Sequence, residues 1–462
     1  MSPERQIAVI GGGWAGCAAA IALADAGGRV DLFESAPVLG GRARRVVRHG
    51  LNLDNGQHLM LGAYRETLDL VARLGAPAPA RRALAIAPLS ASQPNAITLR
   101  APAWPAPFAL LAALLRARGL GPGERVAALR WFARLRRRGF RCAPDATVEA
   151  LTSTLPARVA TALWHPLCLA ALNTHPREAS AQVFANVLAA AFDGGAGAAD
   201  WIAPRGDLGT LVPDATARHL AEGGHRVATA TTAHVVARAP AGRWRVAAKD
   251  DARDYDGVVV AVAPHQLAHA FAPELAWQAP ALAGALADVA ALASEPITTV
   301  YLGYVDRVAV DDAIIRLDDR PGQWLFARDD IVATAGADAP QLASVVAIAI
   351  SAHGEHDAWP HPALVAACDA QLARLSPGWP PCTWSQVIEE KRATYACTPS
   401  ARRPASGLVL PALALAGDYT DDRFPATLEA AVRSGRRAAV ALAASLRDVG
   451  EPVIPANAGI QP

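Results

Sequence analysis

Residues 6–34 read QIAVIGGGWAGCAAAIALADAGGRVDLFE, and the order of events within them decides the fold. The apolar run at residues 7–10 is continuous rather than alternating, as in a parallel strand covered on both faces. Gly11, Gly13 and Gly16 follow in GxGxxG spacing, and the alanine-rich stretch after them predicts a helix over residues 15–26. Gly27 and Gly28 stand where a helix C-terminus wants them. A second strand, residues 30–33, ends on Glu34. Glycines let backbone approach a pyrophosphate, and the helix N-terminus offers free N–H groups and the positive end of its dipole. An acid about twenty residues on is placed to accept from ribose hydroxyls. GxGxxG alone is a weak signal. Strand, turn, helix, strand and acid in that order make a dinucleotide-binding unit. Arg5 ahead of an apolar run has the look of a secretory leader, but the glycines inside the run and the charges soon after it oppose that reading.

The remaining composition narrows the class. A chain of 462 residues buries a large core and is expected to build two structural units. Hydrophobic residues make up 52% and mean hydropathy is +0.18, yet no apolar run reaches the roughly 18 residues of a membrane span. A net charge of +2 gives no footprint for nucleic acid. Six cysteines without a CxxC pair suggest neither a disulfide framework nor a zinc site, and a cytoplasmic home is expected.

Outward from Glu34, the segment SAPVLGGRARRV places Gly40, Gly41 and Arg42 in a turn where an arginine can pair with phosphate. LNLDNGQHLML, residues 51–61, reads as a strand broken at Asp54, Asn55 and Gly56. Near the other end, LALAGDYTDDRFPATLEAAVRSGRRAA repeats the logic of the start: a strand at residues 413–416, Gly417 and Asp418, a loop, and a long helix after Pro425.

GxGxxG, Glu34, the GGR turn, LDNGQH and the AGD–PATLE block together resemble the flavin-dependent amine oxidase and phytoene desaturase superfamily. The resemblance implies an α/β fold, a Rossmann-like FAD-binding domain with an interleaved α+β substrate-binding domain. It implies FAD contacts at Gly11, Gly13, Trp14, Ala15, Gly16, Glu34, Ser35, Gly40, Gly41 and Arg42. It extends them to Gly56, Gln57 and His58 beside the flavin ring, to Val235 near the adenine, and to Gly417, Asp418, Thr427 and Leu428. The expected division is residues 1–76, 205–285 and 401–449 for the FAD-binding domain, 77–204 for a mostly helical cap, 286–400 for a substrate sheet, and 450–462 for a loose tail.

Between the flavin motifs the chain changes character. Residues 77–107 are rich in proline and alanine and read as a crossing between units. Residues 108–141 carry nine arginines and one glutamate. Val126, Leu129 and Phe132 are assigned to one helical face, and Arg130, Arg134, Arg137 and Arg141 to another. Two readings stand: a cap helix with a solvated basic face, or a patch with its apolar face in lipid and its arginines on anionic headgroups of the inner membrane surface. Residues 148–192 are helical; His165, Asn173 and His175 lie among apolar neighbours there. Residues 233–238 and 244–248 form a hairpin, residues 255–262 a buried strand that rejoins the first sheet, and residues 297–304, 323–328 and 344–351 strands of an antiparallel sheet. HGEHDAWPH at 353–361 invites a metal, but the neighbouring prolines oppose a rigid ligand pair, and no metal site is expected.

HPLCLAALNTHPREASAQVF, QWLFAR and EEKRATYACTP are not general flavoprotein signals. With the flavin motifs they resemble, through nearly the whole chain, the hydroxysqualene dehydroxylases of squalene and hopanoid biosynthesis. The resemblance implies loss of an allylic hydroxyl as water and hydride from reduced flavin, with a long-chain isoprenoid as substrate. Gln57 and His58 are the first candidates for catalysis, followed by His165, Lys391 and Glu390. The alternatives are a carotenoid-type polyene desaturase and a non-catalytic prenyl-lipid escort of the same fold. The oligomeric state is not legible.

Overall fold

The computed structural model describes residues 5–448 except 94–95, 103, 106, 250 and 311–313. The expected loose tail at 450–462 lies outside the described residues.

A six-stranded sheet carries the first motif. Its order is Arg226–Ala228, Arg29–Phe33, Gln6–Ile10, Gly257–Val260, Leu413–Leu415 and Gly407–Leu410. The first five strands are parallel and the last is antiparallel. Ile7 stands opposite Val30 on one side and Gly257 on the other, so the opening strand is central and buried along residues 7–10. Strands from the beginning, middle and end of the chain therefore meet in one sheet.

The Trp14–Asp25 helix explains its own composition. Nine of its twelve residues are buried, because the sheet covers one side and the Leu428–Asp448 helix the other. Only small side chains fit between two close partners. At Gly435 a Cβ would lie 2.1 Å from the Ala15 carbonyl oxygen, so the two helices touch backbone to backbone.

The second sheet has seven strands, ordered Trp384–Tyr395, Ser294–Tyr304, Ser344–Ser351, Trp324–Ala327, Ile314–Arg316, Ala85–Pro88 and Leu99–Arg100. Pairing is antiparallel except between Ile314–Arg316 and Ala85–Pro88. The proline-rich stretch at residues 77–107, expected to be a crossing, thus supplies the last two strands of this sheet, of which only Leu99–Arg100 is an edge. The hairpin at Ala233–Arg238 and Trp244–Ala248 forms as expected, with a third strand, Asp251–Tyr255, beside it. Helices Phe108–Leu115, Pro122–Arg137, His165–Leu172 and Ala181–Asp193 occupy much of the stretch expected to be a mostly helical cap.

One face assignment is corrected. The Pro122–Arg137 helix buries Ala128, Trp131, Phe132 and Leu135, whereas Val126 is exposed in line with Arg130, Arg134 and Arg137. Steps of three residues drift about 60° each, so Val126 and Phe132 are about 120° apart; the i, i+3, i+4, i+7 set faces the core. The apolar face of this helix packs on protein, not lipid. No helix among the described residues is long and apolar enough to cross a membrane.

Candidate active site

A cavity of about 1250 Å³ runs along the C-terminal ends of the parallel strands and under the edge of the second sheet. Pockets for drug-sized ligands usually span about 300–1,000 Å³, so this groove has room for a larger guest. Gly11, Gly13, Trp14, Ala15, Glu34, Ser35, Gly40, Gly41, Arg42, Gly56, Gln57, His58, Gly417, Asp418, Thr427 and Leu428 all line it.

The two glycine turns are zipped together. Gly40 donates its N–H to the Gly12 carbonyl at 2.8 Å, and Gly13 and Gly40 form an isolated parallel bridge. A Cβ at Gly41 would come 3.1 Å from Gly13 Cα, while one at Gly13 would find only Gly41 Cα, at 3.9 Å. No side chain caps the Trp14–Asp25 helix at Gly13. Its first-turn N–H groups are therefore free for an anion. Glu34 shapes the rim as well as lining it: its carboxylate accepts from Gly12 N at 2.7 Å and from Ala36 N at 2.8 Å.

The front and back of the chain close on each other here. Arg42 Nη2 meets Asp418 Oδ1 at 2.6 Å, and Arg42 Nη1 donates to the Ala393 carbonyl at 2.7 Å. Asn55 donates to the Arg42 carbonyl and to Glu390 Oε2, both at 2.9 Å. At the start of the Leu428–Asp448 helix, Thr427 Oγ1 accepts from Ala430 N at 3.1 Å. That helix opens onto the groove through Ala426, Thr427, Leu428 and Ala431.

His58 Nδ1 lies 2.9 Å from the Gly56 carbonyl oxygen. A carbonyl only accepts, so the proton of the neutral ring sits on Nδ1 and Nε2 is an acceptor. Burial pushes the imidazole below the ordinary histidine value; Arg42 and Arg328 push the same way against Asp54. A neutral His58 of this tautomer orients a hydroxyl by accepting from it and does not itself protonate a leaving oxygen.

Four expected residues lie outside the groove lining. Gly16 is a packing glycine, since a Cβ there would lie 1.8 Å from the Gly11 carbonyl oxygen. Val235 is fully buried and its carbonyl accepts from Ala272 N at 2.8 Å, so Thr231, Thr232 and Ala233 line the groove in its place. His165 is held by Thr152 Oγ1 at 2.9 Å inside the cap. Lys391 is exposed on the Trp384–Tyr395 strand, while its neighbour Glu390 faces the groove. Residues missed in the block of motifs are Arg44, Arg45, His265, His269, Ala393 and Thr394, all groove-lining. The histidines at 353–361 are otherwise engaged: His353 pairs with Asp357 at 2.7 Å, and His361 begins a helix. Among the described residues no group of three potential metal ligands gathers. All six cysteines are free thiols.

The residues present fit FAD: two facing glycine backbones, an uncapped helix N-terminus, an acid at the end of the second strand, and an arginine–aspartate pair joining both chain ends. The chain belongs to the flavin containing amine oxidoreductase family, whose sequence model matches residues 14–443. It is an FAD-dependent oxidoreductase. Among curated proteins it is 29% identical to the hydroxysqualene dehydroxylase of Rhodopseudomonas palustris, covering 94% of this chain and 98% of that one. A zeta-carotene desaturase of Zea mays is 39% identical over 75 residues, 16% of this chain and 13% of the relative. Among solved structures, an oxidoreductase from Methanosarcina mazei superposes with a TM-score of 0.72 at 15% identity, over 93% of this chain and 98% of that one.

Proposed function

We propose that this chain reduces hydroxysqualene to squalene. The observation that carries the reading is the match to a hydroxysqualene dehydroxylase over nearly the whole of both chains, against a desaturase match confined to 75 residues. The reaction replaces R–OH by R–H: one proton and one hydride enter, and water leaves. Bound in its reduced form, FAD supplies the hydride. The rest falls to the protein.

Ile297, Val387 and Ile388 give one wall of the groove an apolar lining suited to an isoprenoid chain. An allylic cation survives only where water is kept away, which apolar walls achieve. His58 Nε2 accepts from the substrate hydroxyl and fixes its rotation. Gln57 supplies amide N–H donation to the departing oxygen, and Glu390, anchored by Asn55, is the groove carboxyl that delivers the proton. Arg42 and Asp418 hold the cofactor segment closed. His165 and Lys391 carry no part of this chemistry.

Anaerobic incubation of reduced holoprotein with hydroxysqualene tests the reading. Squalene is expected in step with flavin reoxidation. Turnover of phytoene, with hydroxysqualene untouched, supports the desaturase instead. Colourless protein that cannot be loaded with FAD supports the escort.

We also propose peripheral contact with an anionic membrane surface, made by the Phe108–Leu115 helix rather than by the helix that follows it. Trp104, Phe108 and Leu115 are exposed by 48%, 59% and 54%. Phe108 and Leu115, seven residues apart, share a face, and the Arg116 guanidinium lies 5.5 Å from the Trp104 ring centroid. Exposed apolar groups rimmed by arginine suit the headgroup boundary of an anionic bilayer. In vesicle sedimentation the protein is expected to bind phosphatidylglycerol vesicles more than phosphatidylcholine vesicles. Phe108→Asp with Leu115→Asp is expected to reduce that binding at least roughly tenfold, at about 0.8 kcal/mol per buried CH₂. Unchanged binding removes this contact.

A further inference from the structure

The QWLFAR stretch has no part in the chemistry above, yet its last residue is bonded to Gln57, which lines the groove. Arg328 follows the Trp324–Ala327 strand and is only 4% exposed. Its backbone N–H is bonded to the Val345 carbonyl at 2.8 Å, which fixes the residue to the second sheet. Its side chain reaches three other parts of the chain. Nη1 lies 2.9 Å from Gln57 Oε1 and 3.1 Å from Asp54 Oδ2. Nη2 lies 2.9 Å from Asp330 Oδ2 and 3.3 Å from the Gly206 carbonyl, and Nε donates to Asp330 Oδ1 at 3.0 Å. A guanidinium has five N–H groups, and here five acceptors meet them.

We propose that Arg328 is a positioning residue that fixes the orientation of the Gln57 amide within the groove-lining turn. An amide has two ends, an acceptor and a donor. With Oε1 bound to Arg328, the amide cannot turn over without pressing its N–H groups against the guanidinium. Nε2 is thereby held as the free end; one of its N–H groups goes to the His58 carbonyl at 3.2 Å and the other remains for a ligand. The same turn is pinned at three further points: Gln57 N donates to Thr299 Oγ1 at 3.0 Å, Leu208 N donates to Asp54 Oδ1 at 2.8 Å, and Tyr301 Oη donates to the Asp54 carbonyl at 3.1 Å. None of these contacts sets which end of the amide points away. Arg328 does so at the oxygen end, with the His58 carbonyl accepting from the nitrogen end, and a lysine in its place has the charge without the planar fork.

The donor role of Gln57 toward a departing hydroxyl rests on the dehydroxylase reading; the orientation of the amide does not. The test therefore has one readout without substrate. Arg328→Lys, Gln57→Leu and the double variant are each loaded with FAD, and the visible flavin spectrum, the FAD dissociation constant and the melting temperature of the apoprotein are recorded alongside kcat and KM. Arg328→Met with Asp54→Asn, which removes both charges together, serves where Arg328→Lys does not fold. Arg328→Lys is expected to keep FAD bound, to shift the flavin spectrum as Gln57→Leu does, and to lower kcat roughly tenfold with KM nearly unchanged. In the Gln57→Leu background, the change at Arg328 is expected to add nothing to either the spectral shift or the kcat loss. Effects that multiply, or a spectrum and kcat untouched by Arg328→Lys, overturn the proposal. If squalene proves not to be the product, the spectral coupling still decides it.

Discussion

Gly16→Val is expected to give a protein that holds no FAD and melts well below the parent. A Cβ at Gly16 would lie 1.8 Å from the Gly11 carbonyl oxygen and 3.0 Å from its carbonyl carbon. Gly11 cannot yield. Its φ is +104°, its N–H is bonded to the Phe33 carbonyl at 2.8 Å, and a Cβ on it would itself lie 2.6 Å from the Ala261 oxygen. The helix must therefore move off the sheet, which opens the turn that faces Gly41. Overpacking of this kind costs about 1–3 kcal/mol or more, before loss of the cofactor adds to it. The measurement is the ratio of flavin to protein absorbance after purification, with the melting temperature. Gly27→Ala is the control: φ there is +84° and no atom lies within 4 Å, so only about 1–2 kcal/mol of left-handed strain is expected and FAD is retained. Flavin content in Gly16→Val equal to that of Gly27→Ala would sink the assignment of this turn.

The second large effect is expected at the tie between chain ends. Arg42→Met leaves Asp418, whose side chain is 6% exposed, with a buried carboxylate facing no cation. Breaking a buried pair from one side costs about 3–5 kcal/mol, whereas neutralising both partners costs much less. Urea unfolding is expected to show that loss in Arg42→Met and a recovery of more than half of it in Arg42→Met with Asp418→Asn. The Arg42 variant is also expected to bind FAD weakly, since Arg42 orders both Ala393 and Asp418 along the groove. A double variant that loses as much as Arg42→Met and Asp418→Asn alone added together would show that the pair contributes nothing to stability.

The site was legible where its parts lie close in sequence. Glycine spacing, Glu34, the GGR turn and the AGD–PATLE block are local patterns, each with its own reason for sitting beside a nucleotide. Their meeting was not written in any one of them. Arg42 and Ala393 are separated by 351 positions and Asn55 and Glu390 by 335, so only the tertiary fold brings them together. Arg328 was visible as the end of an unusual motif, but three of its five acceptors, on Gln57, Asp54 and Gly206, come from distant turns. Asp251–Tyr255 was missed because it pairs on one side only and exposes Asp251, Ala252 and Arg253 alike, which leaves no apolar alternation to read. Val126 was placed on the wrong face because a valine counts as apolar wherever it stands, while burial follows the angle around the helix.

The contact of Gly435 against Ala15 ties when the protein can mature to how it is built. The first helix of the nucleotide unit has one flank on the sheet and the other on the last 21-residue helix, and one sheet strand comes from residues 413–415. Chains usually fold from the N-terminus as they emerge during synthesis. Here the glycine motif at residues 11–16 waits with an uncovered alanine flank until residues 428–448 have emerged. Cofactor loading therefore waits on residues 413–448, and a chain cut short before them lacks both the strand and the helix that complete the nucleotide unit.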